Sequence, residues 1–209
     1  MREDSALFSL SSVKVGMKYQ KYLNMNKMNL SRLGGDLAQF INQVKNRQEK
    51  IPELIIKMWF GQLCKALKYI HANKIIHRDV KPSNIFMDEF QNIKLGDFGS
   101  AKKLEKTIDF VQTARLHGTP NYIAPEIWEK QPYNEKVDMW GLGCTLYELL
   151  ALKPPFTCNN LADLVKEVTT SVFPPAIPQH YSGNISHFIP GLLEIQPDRR
   201  LSADQIVNR

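Results

Sequence analysis

Two stretches of the chain place apolar side chains at every third or fourth position, which is the spacing of one helix face. Residues 36–45 predict a short helix. A longer helix is predicted to start at Pro52, because proline suits the first helical turn, and to stop at Asn73. The apolar positions of the two helices are expected to pack in the core: Leu37, Phe40, Ile41, Val44, Ile55, Ile56, Trp59, Phe60, Leu63, Leu67 and Ile70.

The rest of the pattern adds a hairpin and further helices. Residues 85–87 and 93–95 are short apolar runs around a polar turn, which is typical of a β-hairpin. Residues 135–152 are strongly apolar and predict a helix that Pro154 and Pro155 stop. Three more helices are predicted at 161–169, 186–193 and 202–208. The expected fold class is therefore α+β and mainly helical, with a small β-hairpin.

Composition narrows the possible classes of protein. The 209 residues are 43% hydrophobic, which is enough for one domain with a core. Three scattered cysteines exclude a disulfide scaffold and a Cys/His zinc cluster. The longest apolar region contains Glu148 and is too short for a membrane span. The net charge of +6 comes mainly from the first fifty residues, and we expect neither nucleic-acid nor membrane binding.

Four motifs follow one another between residues 77 and 126. Residues 77–84 read His-Arg-Asp-Val-Lys-Pro-Ser-Asn, and Asp97-Phe98-Gly99 begins thirteen residues after Asn84. Gly118-Thr119-Pro120 and Ala124-Pro125-Glu126 come next. In this order they resemble the catalytic loop, the metal-binding turn and the end of the activation segment of protein kinases. The resemblance covers residues 34–209 and implies the large, C-terminal lobe of the kinase fold.

The resemblance assigns chemical roles within these motifs. Asp79 is implied to be the base that accepts the substrate hydroxyl proton, and Lys81 is implied to reach the transferring phosphoryl group. Asn84 and Asp97 are the implied ligands of Mg²⁺, an ion that prefers hard oxygen ligands. The implied cofactors are ATP and Mg²⁺, and the implied partners are protein substrates. Lys81 at this place resembles serine/threonine kinases rather than tyrosine kinases.

Two further residues fall where similar kinases bind the nucleoside. Phe86 is expected to form the floor of the adenine site, and Asp36 is expected to meet the ribose hydroxyl groups. Each has a plainer alternative from the residues themselves. Phe86 is also consistent with a core aromatic side chain, and Asp36 is consistent with an acidic residue at a helix N-terminus.

The family resemblance also implies structural roles. His77 is expected to brace the metal-binding turn, and Arg78 is expected to pair with a phosphorylated activation loop. Asp138 resembles the aspartate that holds the catalytic-loop backbone. Glu126 and Arg200 resemble a buried ion pair that ties the activation segment to the last helices.

Other segments are similar to NIMA-related kinases, which are serine/threonine kinases linked to mitosis, centrosomes and cilia. These segments are residues 34–37, 94–99, 133–136 and 149–156. The implied location is the cytoplasm or nucleus, with association with the cytoskeleton or the centrosome. Residues 81–86 also resemble kinases of translation initiation factor 2, and the other segments favour the NIMA-related family.

The first part of the chain departs from this resemblance. Residues 1–33 contain no Gly-rich loop and no clear period, and we expect a divergent, poorly ordered segment. A complete kinase also has a small lobe before the large lobe. Typical strand, helix and loop lengths indicate that a small lobe needs about 55 residues, which is more than these 33. Three alternatives stay open: a serine/threonine kinase, a kinase-like binding or scaffold protein without transfer activity, and a truncated gene product. The 209 residues alone are expected to be nearly inactive.

Two expectations follow from this departure and from the activation segment. Without a small lobe, apolar surface near Phe86, Leu37 and Trp59 would be exposed and covered by a protein partner or by self-association. Related kinases often carry a phosphorylatable threonine where this chain has Arg115, and we expect phosphate on Thr113 instead.

Overall fold

The computed structural model describes residues 35–103, 119–170 and 176–208. The expected α+β, mainly helical fold is confirmed. The helices of the described residues are α1 Leu37–Asn46, α2 Glu53–Ala72, α3 Pro125–Trp128, α4 Lys136–Ala151, α5 Leu161–Thr170, α6 Gly183–Ser186, α7 Phe188–Leu192 and α8 Ala203–Val207. The strands are β1 Ile75–Ile76, β2 Ile85–Met87, β3 Ile93–Leu95 and β4 Lys102–Lys103. Residues 1–33 and the Thr113 and Arg115 positions lie outside the described residues.

The two periodic stretches form helices with the predicted apolar faces. Helix α1 begins after Asp36, whose side chain accepts a hydrogen bond from the backbone N–H of Gln39. Helix α2 follows Pro52 and ends at Asn73, as the sequence indicates. The aromatic rings of Phe40 and Trp59 meet edge to face at 5.3 Å, which joins the two helices within one core.

Helix α2 also holds the β2–β3 hairpin. The two strands pair antiparallel with Phe86 opposite Lys94, so the predicted hairpin is confirmed. The indole N–H of Trp59 donates to the Gln91 carbonyl at 2.9 Å, and Gln62 accepts a hydrogen bond from the Ile93 N–H at 2.9 Å. These bonds fix the turn of the hairpin against the helix.

A second pair of strands was not predicted. Strand β1 pairs antiparallel with β4, with Ile75 opposite Lys103. Each strand has two residues, which is too short for an alternating pattern to be visible in the sequence. The pairing joins the end of α2 to the segment after Asp97, and the catalytic motif lies between these two segments.

Helix α4 is the central element of the fold. All its residues from Val137 to Leu150 are buried, and its last residue is followed by Leu152 in a left-handed conformation with φ 54°. Gly141 faces the catalytic loop so closely that a Cβ atom there would lie 2.5 Å from the Val80 carbonyl oxygen. The absence of a side chain at this position therefore lets helix and loop pack together.

The predicted helix at 186–193 is confirmed as α7, which is shorter than predicted. A separate short helix that was not predicted, α6, ends just before it at Ser186. Pro190 lies in the first turn of α7, where its missing N–H would have no partner within the helix. The prediction of a last helix is confirmed, and Ser202 begins α8 in a reciprocal capping arrangement with Gln205. Among the described residues, no helix is both long and apolar enough to cross a membrane.

Candidate active site

A buried carboxylate anchors the loop that carries the first motif. Asp138 is 1% exposed, and its two oxygens accept hydrogen bonds from the backbone N–H groups of His77 at 2.8 Å and Arg78 at 2.7 Å. His71 donates a further bond to the same carboxylate at 2.8 Å. Arg78 has a φ of 68°, which is unfavourable for a residue with a side chain. The expected role of Asp138 is confirmed, since its bonds hold the strained backbone beside Asp79.

The Asp79 carboxylate is oriented by two side chains of its own loop. The Lys81 ammonium group and the Asn84 amide both donate to Oδ2 of Asp79 at 2.8 Å. Asn84 also donates to the Asp79 carbonyl at 2.8 Å. No described residue donates to Oδ1 of Asp79, so this oxygen is available to accept a proton from a bound hydroxyl group.

Asn84 and Asp97 lie on adjoining turns. The N–H of Gly96 donates to the Asn84 carbonyl at 2.9 Å, which ties the turn before Asp97 to the catalytic loop. Asp97 is exposed and has a left-handed conformation with φ 57°. Because Asn84 uses its amide nitrogen for both of its side-chain hydrogen bonds, its amide oxygen remains available.

This donor set fits Mg²⁺. An amide oxygen and a carboxylate are hard ligands, and Mg²⁺ typically takes only one or two carboxylates from a protein and completes its shell with water and phosphate oxygens. Within residues 35–103, 119–170 and 176–208 there is no group of three or more His, Cys, Asp or Glu side chains suited to a metal ion. The assignment of Asn84 and Asp97 as the ligands of Mg²⁺ stays a prediction.

His77 has the structural role that the sequence indicates. Its Nε2–H donates to the Gly96 carbonyl at 2.9 Å, and Nδ1 accepts from the Asp79 N–H at 3.3 Å. Its ring meets Phe98 edge to face at 4.8 Å. These contacts define the tautomer with the proton on Nε2 and place His77 between the catalytic loop and the metal-binding turn.

Asp36 and Phe86 lie opposite each other. They form an isolated antiparallel bridge, and the Met87 N–H donates to the Gly35 carbonyl at 3.1 Å. Phe86 is 41% exposed, so the alternative of a core aromatic is wrong. Asp36 caps α1, as its plainer interpretation requires, with both carboxylate oxygens bonded to Gln39. The nucleoside-binding roles of both residues stay predictions.

The apolar surface was predicted near Phe86, Leu37 and the helix around Trp59. Leu37 and Trp59 themselves are fully buried, which confirms their predicted places in the core. Leu37 lies in the core that α1 contributes to, and Trp59 is covered by the hairpin turn to which its indole donates. Among the three residues named for this surface, only Phe86 is exposed.

The outer contacts of the site contain one predicted pair and several that sequence reasoning missed. Glu126 and Arg200 form the expected buried ion pair through two bonds of 2.7 and 2.9 Å. Tyr122 donates a short hydrogen bond to the buried carboxylate of Glu148, whose pKa is raised because burial penalises its charge. No motif marks this contact, because its partners lie 26 residues apart.

His71 and Tyr133 were also missed. His71 lies in the last turn of α2, and only the fold brings it to Asp138, 67 residues away. The Tyr133 hydroxyl group accepts a hydrogen bond from Arg78 at 3.2 Å across 55 residues. The one available signal for His71 was its place one helical turn after Leu67, on the buried face.

A strained loop anchored to a central helix, with an aspartate, a lysine and an asparagine in mutual contact, defines the site of a protein kinase. Residues 14–209 match the family model described as protein kinase domain. The chain belongs to the protein kinase family.

Within this family the chain is similar to Nek serine/threonine kinases. It is 41% identical over 176 residues to serine/threonine-protein kinase Nek1 of Mus musculus, with 84% of this chain and 14% of that protein covered. It is 42% identical to Nek3 of Mus musculus, with 84% and 34% covered. It is 38% identical to probable serine/threonine-protein kinase nek2 of Dictyostelium discoideum, with 83% and 41% covered. The chain thus spans less than half the length of each of these relatives.

Proposed function

We propose that this chain transfers the γ-phosphoryl group of ATP to serine or threonine hydroxyl groups of proteins. The observation that carries the proposal is the geometry of Asp79. One carboxylate oxygen is fixed by Lys81 and Asn84, and the other is not hydrogen-bonded to any described residue. A carboxylate held in this way is suited to positioning a substrate hydroxyl group and accepting its proton.

The other site residues fit the same reaction. Bound Mg²⁺-ATP would supply the phosphoryl group and neutralise its charge. Asn84 and Asp97 would hold the metal ion, and the Lys81 ammonium group would stabilise negative charge near Asp79. Phosphoryl transfer depends mainly on positioning and electrostatic stabilisation, so a loop fixed by buried bonds to Asp138 serves it directly.

The substrate class follows from two supports. Lys81 inside the catalytic loop resembles serine/threonine kinases, and the relatives reported above are named as serine/threonine kinases. Protein substrates are therefore proposed, and the acceptor is the aliphatic hydroxyl group of serine or threonine rather than the phenol of tyrosine.

The test is radiolabel transfer from ATP to a generic substrate such as casein, followed by phosphoamino acid analysis. The proposal predicts Mg²⁺-dependent label on serine and threonine, at a low level because the 209 residues alone are expected to be nearly inactive. Label on tyrosine alone would contradict the substrate class. No label above that of a heat-denatured sample would contradict the transfer activity and favour a binding or scaffold role.

A cellular role is proposed from the family likeness alone. We propose a cytoplasmic or nuclear protein of NIMA-related type that acts in the cell cycle and associates with the cytoskeleton or the centrosome. Protein partners, including a second copy of the chain, would bind near Phe86. Imaging of a fluorescent fusion against a centrosome marker tests the location, and a uniform distribution through the cell cycle would contradict it.

A further inference from the structure

The hydroxyl group of Tyr133 accepts a hydrogen bond, whereas the hydroxyl groups of three other tyrosines donate one. Tyr122, Tyr147 and Tyr181 each donate their O–H to a protein oxygen. The Tyr133 oxygen instead accepts a hydrogen bond from Nη1 of Arg78 at 3.2 Å. Its own O–H donates to no described residue, so exchange of this proton for another group breaks no hydrogen bond within the described part of the chain.

Arg78 supplies a positive charge beside this oxygen. Its side chain donates to the Ser100 carbonyl at 2.5 Å and to Tyr133, and both acceptors are neutral. The backbone N–H of Arg78 donates to Asp138, and this bond does not use the guanidinium group. No carboxylate pairs with this guanidinium within the described ranges. A permanently charged, half-buried guanidinium with neutral partners favours an anion at the same place.

The segment around Tyr133 is open to a modifying enzyme. Residues 131–135 precede α4 and have no helix or strand structure, and Gln131, Pro132 and Asn134 are exposed. The backbone N–H groups of Tyr133 and Asn134 donate to no described residue. The Tyr133 ring is partly buried and packs against the core. Few bonds must therefore break for this segment to extend into another active site.

We propose that Tyr133 is a phosphorylation site whose phosphate binds Arg78. The modifying enzyme is a separate, tyrosine-directed protein kinase that uses ATP. The bond between the γ-phosphorus and the bridging oxygen of ATP breaks, and a bond forms between this phosphorus and the Tyr133 oxygen. The phenol proton goes to the base of that enzyme, and ADP leaves.

The phosphate would convert a neutral contact into a charge-assisted one. Hydrogen bonds between ionised groups are about twice as strong as neutral ones, and a phosphate can make one to three of them. Lys136 is committed to the Pro197 and Arg200 carbonyls, so Arg78 remains the cation that contacts Tyr133. The carboxylate of the neighbouring Glu135 would repel the phosphate. The experiment below includes this repulsion, because it uses the whole chain.

A phosphate on Tyr133 would affect both the catalytic loop and the segment that follows Asp97. Arg78 joins the catalytic loop to Ser100, which lies three residues after Asp97. A phosphate on Tyr133 would fix this arginine between the two. An effect on transfer rate rests on the proposed kinase function, whereas binding of the phosphate to Arg78 does not.

The decisive experiment installs phosphotyrosine at position 133 of the whole chain by genetic code expansion. Thermal unfolding is compared with the unmodified chain, in the natural background and with Arg78→Gln. We expect the phosphate to raise Tm by about 2–4 °C with Arg78 present and not with Arg78→Gln. An equal change in both backgrounds, or a fall in Tm with Arg78 present, would overturn the proposal.

Two measurements keep the proposal testable if Arg78→Gln does not fold. A phosphorus NMR titration should give a lower second pKa for the phosphate in the folded chain than in a phosphorylated 129–137 peptide. An unchanged value would contradict binding to Arg78.

A tyrosine-directed kinase domain should label Tyr133 in the whole chain, as shown by peptide mapping with Tyr133→Phe as control. Absence of label there would contradict the site. None of these readouts needs transferase activity, so their failure is distinct from failure of the proposed function.

Discussion

The imidazole of His71 and the carboxylate of Asp138 form a buried pair beneath the catalytic loop, with 2.8 Å between Nε2 and Oδ2. The same Oδ2 accepts the backbone N–H of His77, and Oδ1 accepts that of Arg78. Helix α2, helix α4 and the catalytic loop therefore meet at one carboxylate. The position of Asp79 depends on this junction, because Arg78 holds an unfavourable backbone conformation immediately before it.

Substitution of His71→Leu is expected to loosen this junction. The Asp138 carboxylate would lose one donor while remaining buried, and such a loss costs about 1–3 kcal/mol. Chemical denaturation should show a lower free energy of unfolding, and hydrogen exchange should be faster at the His77 and Arg78 amides. His187→Leu, at an exposed position, is the control. Unchanged exchange at the two amides would contradict the role of His71.

Two glycine substitutions should have opposite effects on stability. A Cβ atom at Gly141 would lie 2.5 Å from the Val80 carbonyl oxygen, so Gly141→Ala should destabilise the chain by about 1–3 kcal/mol through overpacking. A Cβ atom at Gly61 of α2 meets nothing within 4 Å. Gly61→Ala should stabilise the helix by roughly 0.5–1 kcal/mol. Thermal unfolding of the two variants side by side measures both. An unchanged or higher stability of Gly141→Ala would contradict the packing of α4 on the loop.

Much of this architecture was visible in the sequence, and the reasons are physical. The faces of α1 and α2 were predicted because their apolar residues repeat with the helical period over several turns. The role of Asp138 was predicted from a family motif. The β1–β4 pair has two residues a strand and leaves no periodic signal.

The sequence did not predict contacts between residues that are far apart along the chain. The bonds of His71 and Tyr133 join residues 67 and 55 apart, and neither residue stands in a motif that predicts its partner. The burial of Leu37 and Trp59 was predicted from the same helical period. The turn of the hairpin that covers Trp59 comes from tertiary packing, which this period does not contain.

A pH dependence is expected from Glu53. Hydrogen bonds from the Lys57 ammonium group and from Ser182 lower the pKa of Glu53 to about 2, from an ordinary value of 4.5. A carboxyl group whose pKa is lower in the folded state stabilises the fold above pH 4.5, and this stabilisation disappears as the pH falls towards 2.

Denaturation of the natural chain and of Glu53→Gln across pH 2–7 measures this contribution. The advantage of the natural chain should be constant above about pH 5 and shrink below pH 4.5. Glu129→Gln, at an exposed position, is the matched control and should not reproduce the trend. An advantage that grows as the pH falls would contradict the assignment.

Metal-dependent nucleotide binding is expected to depend on Asp97. Asp97→Asn removes a charged ligand while keeping the shape, so Mg²⁺ should no longer increase the affinity for an ATP analogue. Calorimetric titration with and without Mg²⁺ measures this difference directly. Asp198→Asn, also exposed but outside the site, should bind as the natural chain does. Equal Mg²⁺ dependence in Asp97→Asn would remove Asp97 from the metal site.

The most direct test of the account is single-turnover phosphoryl transfer by the natural chain, by Asp79→Asn and by the control Asp198→Asn, each confirmed as folded by thermal unfolding. Asp79→Asn keeps the side-chain shape and removes the group that accepts the proton. The transfer rate of Asp79→Asn should be lower than that of the natural chain by about 10²–10⁴-fold, with the rate of the control unchanged. A rate for Asp79→Asn equal to that of the natural chain would contradict the central claim that Asp79 carries the reaction.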